Sequence, residues 1–128
     1  MLYLSALIGP FFLLLAEKFL PYPYLVEEIY KFFLVKKPLD TKTVFLLGLL
    51  FSLSEAIFYV LNPVFSYNLT TYGIRLMAVL PMHITTMLIM NYFNRRKNMW
   101  ILGLILAILI HYLFNFSLQV PNLEANNI

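Results

Sequence analysis

Cysteine is absent from this chain, which excludes disulfides and thiolate metal sites; any metal would need histidine and carboxylate ligands. Charge is scarce. Only 12% of the 128 residues are Asp, Glu, Lys or Arg, where a soluble domain carries about 25%. Hydrophobic residues make up 62% and the mean hydropathy is +0.82, too apolar for an ordinary soluble domain of this length. The net charge of +3 is not accompanied by a basic–aromatic stripe, so it reads as membrane topology and not as a nucleic-acid face. The N-terminus lacks a basic n-region and a small-x-small cleavage site, so a cleaved signal peptide is not expected. There is no internal repeat, no low-complexity tract and no composition shift marking a second domain. One integral membrane domain over residues 1–128 is expected.

What remains is a succession of apolar runs cut by short polar connectors. The pattern predicts an all-α, polytopic membrane bundle of about five helices, over residues 2–16, 24–35, 43–61, 73–92 and 99–118. The first carries Pro10, expected to kink it, and has apolar residues as far as Leu20 available to extend it; Pro21-Tyr22-Pro23-Tyr24 then breaks the helix and supplies interfacial tyrosines. The second is too short for a full span of about 20 residues and reads as short or re-entrant. Residues 64–72 read as an uncharged polar loop, with a glycosylation sequon at Asn68-Leu69-Thr70. Two connectors are basic, 36–42 and 94–98, and both should face the cytoplasm of a multi-pass protein of the cell membrane, with the loop between helices three and four outside.

Against this background the ionisable residues inside the runs stand out. A charge at the centre of a spanning helix costs about 2.5–3.5 kcal/mol, so three carboxylates scattered on lipid faces would cost on the order of 8–10 kcal/mol. Convergence on one polar site removes most of that cost. Depth agrees with convergence: Glu55 lies 13 residues beyond Lys42 and His111 lies 14 beyond Lys97, while His83 is about ten residues into its helix from the other side. Glu27 and Glu28 begin helix two from the same outer half.

Each segment also has a plainer reading. Glu27 and Glu28 precede Lys31 by four and three residues, a spacing that serves equally an interfacial ion pair or a tuned general base. Glu55, one turn after Phe51, suits either a site carboxylate or a protonated helix–helix bond. His83 follows Pro81 in mid-span, and Arg75 two turns earlier suits headgroup contact as well as a site. His111 and Asn115 project together at i, i+4, as a polar seam or as donors to an oxyanion. Ser52 and Ser54 read as packing residues.

Taken in order, Glu-Glu-x-x-Lys (Glu27, Glu28, Lys31), Phe-x-x-x-Glu (Phe51, Glu55), Arg…Pro-Met-His (Arg75, Pro81, Met82, His83) and His-x-x-x-Asn (His111, Asn115) resemble the PrsW-type intramembrane proteases, which are grouped with CAAX prenyl endopeptidases and bacteriocin-processing proteins. The resemblance runs from Glu27 to Asn115. It implies an endopeptidase acting on transmembrane or membrane-associated proteins, with Glu27, Glu28, Glu55, His83, His111 and Asn115 as catalytic or metal-binding residues and Lys31 and Arg75 in support. The chain departs from many members in being very small. Two chemistries are open. In one, His83, His111 and Glu55 hold zinc, which acidifies water. In the other, Glu27 or Glu28 is the base and His111 with Asn115 forms the oxyanion hole; no HExxH demands zinc, and we favour this second chemistry because the resemblance to the CAAX-processing relatives implies glutamate dependence. The competing class is a non-enzyme, either a membrane scaffold or a small proton- or ion-coupled carrier.

Overall fold

The computed structural model describes residues 1–17, 19–61 and 69–124. Among these, all regular structure is helical: α1 (Leu2–Glu17), α2 (Pro23–Leu34), α3 (Thr41–Leu61), α4 (Leu69–Asn94) and α5 (Trp100–Glu124). Three of them contain spans long and apolar enough to cross a membrane, Thr41–Phe58, Leu76–Asn94 and Trp100–Ser117, and α1 adds a shorter apolar stretch, Leu2–Leu13. The chain is thus a helical membrane protein. At 12 residues α2 is roughly 18 Å long, well short of a hydrocarbon core of about 30 Å.

The five helices close into a ring. Going round it, α1 packs on α3, α3 on α4, α4 on α5, α5 on α2, and α2 back on α1; α2 also touches α4 across the middle. The short helix therefore reaches the interior with its neighbours on both sides. Its start is set by Pro23, whose fixed φ and missing N–H suit the first helical turn.

Local chemistry moves several boundaries from those read in the sequence. α3 begins at Thr41, two residues early, because Asp40 caps it: Oδ1 accepts the Thr43 N–H at 2.9 Å and Oδ2 accepts the Thr43 hydroxyl at 2.5 Å. These bonds, the hydroxyl's first, hold the Asp40 carboxyl below the usual carboxylate range. α4 begins at Leu69, so residues 69–72 are helix and not loop. The proposed loop over 64–68 and Asn68 of the sequon lie outside the described residues. Pro10 and Pro81 both sit inside continuous helices.

The two basic connectors share one end of the bundle, and side-chain amides tie them together. Asn91 accepts the Leu39 N–H at 2.9 Å and donates to the Leu39 carbonyl at 3.0 Å, while Asn94 donates to the Val35 carbonyl at 2.9 Å. Arg95 donates to the same Leu39 carbonyl. Asn98, with φ of 62°, takes the left-handed conformation that asparagine tolerates and turns the chain into α5. Because the chain has no native cysteine, topology can be read directly. Lys37→Cys and Arg96→Cys should react with an impermeant maleimide from the same side of the membrane, the cytoplasmic one by their charge. Labelling from opposite faces would break the ring connectivity described above.

Outward and inward faces separate cleanly on α5. Ile101, Leu102, Ile105, Leu109, Leu113 and Phe116 are exposed, as lipid-facing residues should be. The inward stripe is Gly103, Ala107, His111 and the half-buried Asn115, each four residues from the last. Gly48 does the same for α3: a Cβ there would stand 2.8 Å from the Ile84 Cα, so only glycine lets α3 and α4 come this close. That approach places Phe51 and Glu55, one and two turns further along α3, beside His83, the residue before Ile84. The apolar core of Leu34, Val35, Val44, Leu47, Met87, Met90 and Ala107 fills the connector end of the ring.

Candidate functional site

Beyond that core the interior turns polar. Four helices contribute one to three inward-facing residues each: Glu27, Glu28 and Lys31 from α2, Glu55 from α3, His83 and Thr86 from α4, and His111 from α5. Glu28, Lys31 and His83 are fully buried and His111 is 4% exposed; the Glu27 and Glu55 side chains are 12% exposed. The surface ion pair that the Glu-Glu-x-x-Lys spacing also allowed is not what forms. Lys31 is the largest fully buried side chain in the described residues and lies at the centre of the cluster.

The contacts form one connected chain. Lys31 Nζ donates to Glu28 Oε1, to His83 Nδ1 at 2.7 Å and, at the long limit of 3.5 Å, to Thr86 Oγ1. Its ammonium also lies 5.0 Å from the centroid of Phe51, a cation–π contact on the apolar side. His83 Nε2 and Glu55 Oε2 are 2.5 Å apart. His111 Nδ1 bonds to Glu28 Oε1 at 2.7 Å, and its Nε2 faces Glu27 Oε2 at 3.9 Å. The two imidazoles stand perpendicular with centroids 5.5 Å apart. The second oxygen of Glu28, Oε2, is buried with no hydrogen-bond partner among the described residues. A carboxylate oxygen in that position calls for a donor from water or from a bound molecule.

Asn115 is half-buried one turn after His111, and its side chain makes no hydrogen bond to another described residue. Arg75 belongs to α4, but its side chain lies outside the described residues. Ser52 and Ser54 are structural: Ser52 bonds back to the Gly48 carbonyl at 2.9 Å, and Ser54 ties α3 to α1 through the Leu7 carbonyl at 2.5 Å. Thr86 is a site residue the sequence did not single out; its only signal is its place three residues after His83. Tyr24 is another, with its ring 6.2 Å from that of His111.

Zinc is implied by the family resemblance, and the donor set can be tested for it. Glu27, Glu55 and His83 each offer an atom within 4.8 Å of the others, so spacing alone would admit a cation. That trio already differs from the expected His83, His111 and Glu55. The chemistry of His83 fits less well. Its Nδ1 faces an ammonium, which has hydrogens to give and no lone pair, so Nδ1 is an acceptor and the ring proton sits on Nε2. A histidine ligand needs the reverse, an open lone pair toward the metal and its other N–H donated outward. His111 donates its Nδ1–H to Glu28, the orientation a ligand needs, so the misfit lies with His83. The residues as arranged do not fit a zinc ion held by the two histidines.

The chain matches no protein-family model, no curated protein and no solved structure.

Proposed function

We propose that this chain is a PrsW-like intramembrane endopeptidase of the cell membrane, hydrolysing peptide bonds of transmembrane or membrane-associated proteins with water activated without a metal. The observation that carries the reading is the buried cluster itself, in which two histidines and a lysine are bonded to carboxylates from separate helices, with one carboxylate oxygen still unfilled. Peptide hydrolysis in a membrane needs a water, a group to polarise it and a donor for the oxyanion. Of the paired glutamates, Glu28 bonds both Lys31 and His111, and Glu27, whose Oε2 faces His111 Nε2 at 3.9 Å, is the one assigned to the water. Asn115, on the same inward stripe as His111, is the oxyanion donor. Glu55 orients His83.

Bond directions argue against the carrier alternative. A proton relay requires each bond to point the same way along the chain. Here Lys31 donates outward in two directions, to Glu28 and to His83, while Glu28 receives from both Lys31 and His111. Such a chain is locked by its donor-only centre.

The test is cleavage by protein reconstituted in liposomes. A quenched fluorescent transmembrane peptide should be cut, the rate should survive treatment with a strong zinc chelator, and elemental analysis should find far less than one zinc per chain. Stoichiometric zinc whose removal stops cleavage would overturn the metal-free reading. A library of such peptides left intact, together with proton flux in the same liposomes, would favour the carrier.

A further inference from the structure

Six exposed cations crowd the connector end of the bundle: Lys36, Lys37 and Lys42 on one side, Arg95, Arg96 and Lys97 on the other. The whole chain has nine Lys and Arg, so most of its positive charge stands here. The only acid in either connector is Asp40, and both its oxygens are taken by Thr43. None of the six cations forms an ion pair with a described residue. Membrane topology needs only a count of such charges. Here two of them are also held in place. Arg95 gives one N–H to the Leu39 carbonyl, in the connector that Asn91 also grips. Arg96 donates one N–H to the Tyr92 hydroxyl and lies 4.7 Å from the centroid of that ring. A guanidinium has several N–H donors in a planar fork that matches a phosphate, and most of those on Arg95 and Arg96 have no partner among the described residues.

The neighbouring rings set the kind of phosphate. Phe33, Tyr92 and Trp100 are all exposed, on the helix ends that enter and leave the two connectors. Trp100 packs its ring 5.3 Å from that of Phe32, and the Lys36 ammonium lies 5.9 Å from the Phe33 ring. Tyr and Trp at such a level belong to the headgroup layer of a bilayer, with one end wet and the other among acyl chains. A phosphate in the arginine forks therefore has hydrocarbon immediately beside it. We propose that the connector end is a binding surface for an anionic phospholipid, whose phosphodiester is held by Arg95 and Arg96 and whose chains lie against Tyr92 and Trp100. The four lysines supply the surrounding positive field, as basic clusters next to spanning helices do at an anionic leaflet. No residue of the buried cluster takes part, so this site stands or falls apart from the hydrolytic reading.

The chain carries its own reporter, since its single tryptophan is Trp100. The full chain is reconstituted in vesicles of unlabelled phosphatidylcholine with a minor fraction of brominated lipid, which quenches tryptophan on contact. Brominated phosphatidylglycerol should associate at Trp100 more strongly than brominated phosphatidylcholine by about fivefold or more, the ratio that about 1 kcal/mol from a basic residue gives. In Arg95→Gln/Arg96→Gln the ratio should fall to unity while quenching by phosphatidylcholine is unchanged, which shows the fold intact. Arg96→Gln alone leaves the bonds between connectors in place and should lose part of the preference, so the test survives a misfolded double variant. Lys36→Gln/Lys37→Gln removes as much charge and should weaken the preference at low salt only, because long-range attraction is screened and contact bonds much less so. Equal association of the two lipids with the wild-type protein would overturn the proposal. So would displacement of the brominated phosphatidylglycerol by soluble glycerol phosphate, which would make the ligand a free anion. An equal loss in the lysine and arginine variants at every salt concentration would reduce the site to a count of charges and overturn it too.

Discussion

Lys31→Met should destabilise the folded protein by about 3–5 kcal/mol, the cost of breaking a buried ion pair by removing one partner. Methionine keeps most of the lysine stem, so the contact with Phe51 and the packing between α2 and α4 are largely retained. What is lost is the counter-charge of Glu28, which is fully buried and already has one oxygen without a partner. The double variant Lys31→Met/Glu28→Gln removes both charges and should recover most of the loss, because an ion pair exchanged for neutral groups of like size costs little. Reversible denaturation in mixed micelles, followed by tryptophan fluorescence from Trp100, measures both. Equal stability of Lys31→Met and wild type would mean that Lys31 does not sit where it has been placed. A double variant no better than the single one would assign the loss to packing.

The sequence carried the fold further than the site. Helix count and order follow from apolar runs and their breaks, and the inward stripe of α5 is written in its four-residue spacing from Gly103 to Asn115. The start of α3 was misplaced because an N-cap is a matter of one side chain: Asp40 reads as part of a charged connector until its bonds to Thr43 are seen. The cluster was legible only as a set of depths. That Glu55, His83 and His111 lie at similar levels follows from counting residues. That Lys31 meets His83, 52 residues away, does not. The local pattern Glu-Glu-x-x-Lys is satisfied equally by an ion pair at the surface and by one in the interior. The choice is made by α2 leaning across the ring onto α4, which depends on all five helices at once. Hydrogen-bond direction is a further step removed. It follows from the donor-only chemistry of one ammonium, and only after its neighbours are known. Gly48 shows the same limit, since a glycine in an apolar helix announces small size but not which backbone approaches it.

Glu27→Gln should lower kcat for cleavage of a transmembrane peptide by about 10²–10⁴, the range spanned by groups that position or move the proton of a reacting water. Glutamine is isosteric, and Glu27 faces His111 at 3.9 Å whereas Glu28 bonds both Lys31 and His111, so folding should change less than in Glu28→Gln. Glu28→Gln makes the informative contrast. It removes the acceptor shared by Lys31 and His111, so it should both destabilise the protein and lower kcat, whereas Glu27→Gln should lower kcat alone. Thermal melting in detergent beside single-turnover cleavage separates the two patterns. If Glu27→Gln cleaves at the wild-type rate, the water is not held by Glu27. If instead both variants lose stability together and turnover per folded molecule is untouched, the cluster is a device for holding four helices together, and the scaffold reading takes the place of the enzymatic one.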